Sequence, residues 1–333
     1  MAERSLPPRF DIAALLHVHR ALLLALLASL TLLVVIATLP SRPQIFHVLQ
    51  KLAHPTVFGV VALALLVLLR QRRESAATPP WREYLLALAL ATALGALTEL
   101  GQILTHRDPT LHDVGLDLRG AACALAFAAG FDGRCQPSGR ERLRLVYLTA
   151  GGLLAVWIAT PLAWAGAAYA NRALLFPVLF VPRSPLDTYF VATVDRGAVR
   201  SRLEPRWSRE AGEFTLHVQL WTRPYSGVSL EEPSADWSGY RSLLIDVVNP
   251  SRTPLELNVR VNDRAHDGRY ADRFNGRYPI PGRTREMLEI PLEAVRGAPA
   301  GRSMDLEQIA NVNLFRAGEA GPHELLLNRI ELR

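Results

Sequence analysis

Lys51 is the only lysine among 37 basic residues; every other one is arginine. It stands three residues before His54 in LQKLAHPTVFG. Other polar groups interrupt apolar runs further on: Glu99 and Gln102 in TELGQ, then His106, Arg107, Asp108, His112 and Asp113 in THRDPTLHD, then Asp117. Residues of these types support two kinds of chemistry. Carboxylates and an imidazole in a poorly hydrated site act as general acid and base, here Glu99, His54 and Asp113. Lys51 and Arg107 would clamp a phosphate or carboxylate headgroup, arginine as a planar fork and lysine as a compact charge. The opposing reading is structural, with Glu99 pairing Lys51 or Arg107 so that the helices can enter a membrane. No H-x-x-x-H or H-E-x-x-H spacing sets two metal ligands on one helical face, so neither a metal nor a cofactor is expected. Cys123 and Cys135 form no metal motif either.

The elements that carry these residues read as membrane spans. A hydrocarbon core of about 30 Å needs roughly 17–25 apolar helical residues. The qualifying stretches are Ala21–Leu39, about Thr56–Leu69, Tyr84–Leu104, about Val114–Phe131 and about Leu145–Ala168, the last interrupted by Pro161. TLPSRPQ after the first is a poor cleavage site, so it reads as an uncleaved helix. Residues 1–182 hold 16 basic and 10 acidic side chains, and residues 183–333 hold 21 of each. Excess charge confined to one half argues against a nucleic-acid binder and for membrane topology. Arg4, Arg9 and Arg20, the Arg70–Arg82 group and the Arg134–Arg144 group fall on one side if five spans alternate, with Arg42, Lys51 and Arg107 opposite. The N-terminus is then cytoplasmic and the chain beyond about residue 170 lies outside. In that topology Lys51, His54, Glu99, Gln102, Arg107, Asp113 and Asp117 sit at one depth near the outer surface.

K-x-x-H before a span, E-x-x-Q ending another, then R…D-x-x-x-x-x-x-G across the next loop and helix, resembles the VanZ-like family of bacterial membrane proteins. The matching positions are Lys51, His54, Glu99, Gln102, Arg107, Asp113 and Gly120, within residues 20–132. One departure is Asp117, where the family has Asn. The resemblance implies a cell-envelope role and, in the family's founding context, low-level glycopeptide resistance; it implies no established reaction.

Residues 171–184, NRALLFPVLFVPRS, are apolar with two prolines and read as a linker resting on the membrane surface, between a helical domain to residue 170 and a second domain from 185. Beyond it the period changes to two. LELNVRVND sets Leu255, Leu257, Val259 and Val261 against Glu256, Asn258, Arg260 and Asn262, and EFTLHVQLW alternates likewise. Many short half-buried strands predict an all-β sandwich. The order W-x-x-Y-x-x-L-x-I-D-V-x-N at Trp237–Asn249, the strand ending in Asp263, DRFN, PG and LLLNRIEL resembles the galactose-binding-like jelly rolls that serve as carbohydrate-binding modules. Trp237 and Tyr240 read as packing. Sugar binding needs aromatic faces with planar polar groups beside them. Trp221, Tyr225, Tyr270, Phe274 and Tyr278 are candidate platforms; Arg260, Asn262, Asp263, Arg269, Asp272, Arg273 and Asn275 are candidate polar partners.

The fold expected is thus a helical transmembrane bundle of about five spans joined to a jelly roll. The leading functional reading is a bacterial inner-membrane protein that binds membrane lipids and a cell-wall or exopolysaccharide glycan. Two others stand beside it: an enzyme acting on a lipid headgroup or lipid-linked substrate, and a non-catalytic scaffold for envelope assembly.

Overall fold

The computed structural model describes residues 20–36, 39–40, 43–71, 79–103, 110–135, 141–193, 197–221, 225–233, 236–318 and 323–333. Arg107 lies outside them, as do the other residues of 104–109. The chain forms two compact units, Met1–Ala163 and Trp164–Arg333.

The first unit is helical: α1 (Arg20–Ile36), α2 (Gln44–Gln71), α3 (Pro80–Gln102), α4 (Leu111–Phe131) and the first part of α5 (Glu141–Leu175). Helices α2 to α5, of 28, 23, 21 and 35 residues, are long and apolar enough to cross a membrane; α1 has 17 residues. The boundaries follow local chemistry. Pro80 opens α3, where a missing N–H costs nothing. Thr110 caps α4, its hydroxyl accepting from the Asp113 N–H at 3.1 Å.

Helix α2 differs from the sequence reading in one consequential way. Pro55 cannot donate to the Lys51 carbonyl four residues earlier, and the sequence reading begins this span at about Thr56. The helix instead begins at Gln44 and runs through Pro55. Lys51 and His54 therefore lie within α2, not ahead of it. What accommodates the proline is the neighbouring helix. A methyl group at Gly120 of α4 would overlap the Pro55 carbonyl oxygen and Cα, and a Cβ at Gly59 would meet the Gly120 oxygen at 3.2 Å. Two glycines thus let the backbones of α2 and α4 approach closely, the device that membrane helices use where lipid supplies no hydrophobic drive. Phe58, Val61, Ala62, Ala87, Ala91 and Ala121 fill the rest of the α2–α3–α4 interface.

The described residues of the second unit are all-β apart from its first turns, a single 3-10 turn at Tyr270–Asp272 and one short helix, α6 (Leu292–Arg296). Its strands are β1 (Val178–Phe180), β2 (Val191–Thr193), β3 (Ala198–Arg202), β4 (Phe214–Leu220), β5 (Ser226–Glu231), β6 (Ser242–Asn249), β7 (Leu255–Asp263), β8 (Phe274–Ile280), β9 (Thr284–Pro291), β10 (Ile309–Arg316) and β11 (His323–Leu332). They make two antiparallel sheets in the orders β3-β4-β11-β6-β9 and β2-β5-β10-β7-β8. From β4 to β11 the strands wind as 4-11-6-9 in one sheet and 5-10-7-8 in the other. That winding is a jelly roll.

Alternation along each strand puts Ile245, Val259, Val312, Leu327 and their like between the sheets, around a fully buried Trp237. The apolar segment 171–184 does not form the surface linker expected of it. Its first residues finish α5, and β1 pairs with β11 in the sandwich. The physical reason is that Leu179 and Phe180 bury against the sandwich core, which competes with any membrane surface.

Gly120→Ala should lower the thermal stability of the helical unit in detergent, by about 1–3 kcal/mol for overpacking. Gly133→Ala, where an added Cβ meets nothing within 4 Å, should change it by less than about 0.5 kcal/mol. Equal behaviour of the two variants would contradict the close α2–α4 contact.

Candidate functional site

Three helices build a polar cluster inside the helical unit. α2 supplies His54, α3 supplies Glu99 and Gln102, and α4 supplies Asp117; all four are buried. His54 Nδ1 lies 3.1 Å from Asp117 Oδ1. Candidate ligand atoms of His54, Glu99 and Asp117 all fall within 4.8 Å of one another. Glu99 is held from two sides, accepting from Gln102 Nε2 at 2.9 Å and from the Thr110 N–H at 3.0 Å. Asp117 is 0% exposed, and its Oδ2 has no hydrogen-bond partner among the described residues. A Cβ at Gly95 would stand 2.7 Å from that oxygen, so glycine on α3 is what admits the carboxylate. Asp113 Oδ1, one turn earlier on α4, is also buried without a partner among the described residues.

The residues read together from sequence divide in the structure. His54, Glu99, Gln102 and Asp117 meet. Lys51 is exposed and lines a different, mostly apolar groove of about 220 Å³ with Leu52, Pro55, His112, Arg119 and Trp157. There the Arg119 guanidinium lies over the Trp157 ring at 4.2 Å. Lys51 thus shares this groove with a second cation, Arg119, and not with Glu99. A groove of this character suits an acyl chain beside an anionic headgroup.

A second polar network, missed in the sequence, ties the same three helices at their other ends. Arg70 of α2 donates to Tyr84 of α3 at 2.9 Å and to Asp132, which follows α4, at 2.5 Å; Arg134 reaches Asp132 at 3.0 Å and Glu83 at 3.3 Å. It stands 16 residues along α2 from His54 (70 − 54) and 16 along α3 from Glu99 (99 − 83). At 1.5 Å per residue the two networks are about 24 Å apart. Apolar helix surface fills the interval.

In the β unit the candidate sugar contacts scatter. Asp263 is buried and clamped by Arg302, whose Nη1 and Nη2 reach its two oxygens at 2.6 and 2.9 Å; the same guanidinium holds Asp272 at 2.5 and 3.0 Å. Burial alone would raise the Asp263 carboxyl, but the Arg302 hydrogen bonds and the Asp305 N–H hold it below the usual carboxylate range. Arg302 chiefly, with the Asp267 N–H, holds Asp272 well below it. These two aspartates are therefore structural. Phe274 packs toward the core. Tyr270 is exposed with the Arg273 guanidinium 5.1 Å from its ring centre. Trp221 and Tyr225, 41% and 63% exposed, flank the start of β5. Tyr225 has its ring 5.6 Å from Phe315.

Arg260 is the candidate that the structure places centrally. It projects from the outer face of the five-stranded sheet, opposite to Val259 and Val261, which face the core. Strand register puts Ser229, Asn313, Arg260 and Asn275 in one row across four strands. A second row holds Glu231, Asn311 and Asn262, and a third holds Phe315, Asn258 and Arg277. Asn313 Nδ2 donates to Asn311 Oδ1 at 2.7 Å, and Ser229 Oγ to Glu231 Oε1 at 2.6 Å. Among the described residues Asn258 Nδ2 and Arg260 Nε are buried with no partner. The face is a set of planar amides and a guanidinium in register, edged by the Tyr225–Phe315 pair. Its signature was present in the sequence as N-V-R-V-N and N-V-N-L-F.

The opposite sheet carries a larger polar cavity, about 460 Å³, lined by Arg209, Glu213, Asp246, Arg285 and Asn328 among others. Arg285 there is saturated by Asp246 at 2.6 and 2.9 Å and by Glu213 at 2.6 and 3.1 Å. A guanidinium spent on two carboxylates has little left for a ligand, so the amide-lined face is the stronger candidate.

No protein-family model matches the chain, and no curated protein matches it. Among solved structures it is similar to a family 11 carbohydrate-binding module from Clostridium thermocellum in complex with a β-1,3-1,4-mixed-linked tetrasaccharide, at 17% identity over 43% of this chain and 88% of that one, TM-score 0.33. An exo-β-agarase is similar at 14% identity over 47% of this chain and 24% of that one, TM-score 0.38. The CBM22-1 xylan-binding domain of Paenibacillus barcinonensis Xyn10C is similar at 13% identity over 44% and 86%, TM-score 0.31. The jelly-roll assignment rests on the strand winding, not on these scores.

Arg302→Gln should lower the melting temperature at pH 7. Both aspartates titrate below the ordinary value of about 3.9, so the stabilisation is whole above it and lost as pH falls through the folded-state values. The gap between wild type and variant should therefore narrow below about pH 4. A gap unchanged between about pH 7 and pH 3 would contradict the clamp.

Proposed function

We propose that this chain is an envelope protein whose helical unit sits in the bacterial cytoplasmic membrane and whose jelly roll binds a glycan outside it. The observation that carries the glycan reading is the outer face of the five-stranded sheet. Polyhydroxylated ligands are held by planar hydrogen-bonding groups beside an aromatic edge, and the rows of Arg260, Asn313 and Asn258 set such groups in register beside Tyr225 and Phe315. The long apolar helices, with exposed Leu153, Val156 and Trp157, support membrane lipid as the other partner. The two polar networks about 24 Å apart support helices that cross, since that interval approaches the hydrocarbon thickness. The VanZ-like motif residues belong to this reading as a proposed family relationship, and Lys51 with Arg119 would face lipid phosphate. The arginine distribution supports a cytoplasmic N-terminus and an external jelly roll.

The glycan reading is tested on the full chain in detergent, by calorimetry against mixed-linkage β-glucan, xylan, agarose oligosaccharides and soluble peptidoglycan fragments. Binding to at least one is expected, weakened about tenfold by Arg260→Ala or Asn313→Ala, roughly the worth of a hydrogen bond. Arg252→Ala, on an exposed turn, should leave it unchanged. A folded protein that binds none of them, or an Arg260→Ala variant with full affinity, would remove this reading. The topology is tested in spheroplasts with Arg252→Cys in a Cys123→Ser, Cys135→Ser background. A membrane-impermeant maleimide should label it without lysis; labelling only after lysis would place the jelly roll inside.

A further inference from the structure

We propose that His54, Glu99 and Asp117 form a binding site for one divalent first-row transition-metal ion. The proposal is independent of the glycan reading, since it uses only the helical unit. One imidazole and two carboxylates are a mixed nitrogen–oxygen set that suits Zn²⁺ or Mn²⁺. They come from α2, α3 and α4, so no spacing within one helix could reveal them.

Geometry supports an ion rather than a hydrogen-bonded pair alone. His54 Nδ1 and Asp117 Oδ1, 3.1 Å apart, already have the separation of two ligands on one metal. The full set lies within 4.8 Å, and shifts of about 1 Å would bring all three to bond lengths near 2.0–2.2 Å. Glu99 is oriented by Gln102 and the Thr110 N–H, the supporting hydrogen bonds that metal ligands usually carry.

Independent of the clustering, Asp117 has an oxygen, Oδ2, that is wholly buried and has no hydrogen-bond partner among the described residues. Among the described residues the carboxyl groups of Glu99, Asp113 and Asp117 also outnumber the one imidazole beside them, and an unpaired buried charge costs several kcal/mol. A dication answers both deficits. Three protein ligands leave one position open to water, the pattern of reactive rather than purely structural sites. The other group of suitable residues, His266, Asp267 and Asp272, differs because Arg302 already occupies Asp272.

The test uses the full chain in detergent, stripped with a chelator and then titrated with Zn²⁺ or Mn²⁺. Uptake is read by elemental analysis and stability by thermal unfolding. About one ion per chain is expected, with a melting temperature that rises with metal concentration, because an ion that binds only the folded state stabilises it. Asp117→Asn and Glu99→Gln should each reduce affinity at least tenfold, while Asp272→Asn keeps it. The stripped wild type supplies a readout even where a variant fails to fold. A folded chain that takes up neither metal would overturn the proposal. Uptake equal in Asp117→Asn and wild type would overturn it too.

Discussion

The close contact of α2 with α4 is the constraint on which the helical unit depends. Gly120 lies against Pro55, and Gly59 against Gly120, so the two backbones come nearer than any side chain would permit. That approach sets His54, next to Pro55, beside Asp117, one turn before Gly120. Gly95 on α3 then admits the Asp117 carboxylate, and Glu99 follows one turn later on the same helix. Three glycines therefore do for this cluster what a rigid loop does elsewhere: they fix polar groups at one depth among apolar neighbours. The polar interaction in turn gives the apolar helices a unique register, which packing of Leu and Ala alone specifies poorly.

The jelly roll solves the opposite problem. Its interior is apolar and alternating, and its polar chemistry is displayed on strands whose positions the core already fixes. Rows such as Ser229–Asn313–Arg260–Asn275 are held rigid by register, so a ligand there would not have to order them. The two ion clusters, Arg302 with Asp263 and Asp272 and Arg285 with Asp246 and Glu213, pin loops and strands around that core. Conspicuous charge in this unit is structural, whereas the quieter amides form the candidate binding face.

How far the sequence revealed this follows the same division. Helix period, strand period and the change between them gave the two architectures, because both are local patterns. His54, Glu99, Gln102 and Asp117 were legible as one group, since residues at equal heights on neighbouring spans tend to meet. Lys51 could not be separated from them, because depth does not say which side of a helix a residue faces. Asp117 entered the sequence reading as a departure from a motif and stands at the centre of the cluster. In the strands, Arg260 and Asn262 were legible as outward residues of β7. Asn311, Asn313 and Phe315 were not joined to them, because register between β7 and β10 is decided by tertiary pairing. Asp263 was misjudged for a related reason: its partner Arg302 is 39 residues away.

The account turns on His54 and Asp117 being true neighbours across α2 and α4. A double-mutant cycle measures that directly, comparing unfolding free energies in detergent for wild type, His54→Ala, Asp117→Ala and the double variant. Side chains in buried contact should show a coupling of about 0.5–3 kcal/mol, the double variant losing less than the two single losses added together. Strictly additive losses would mean that the two do not touch, and the close helix crossing with all that it positions would have to be given up.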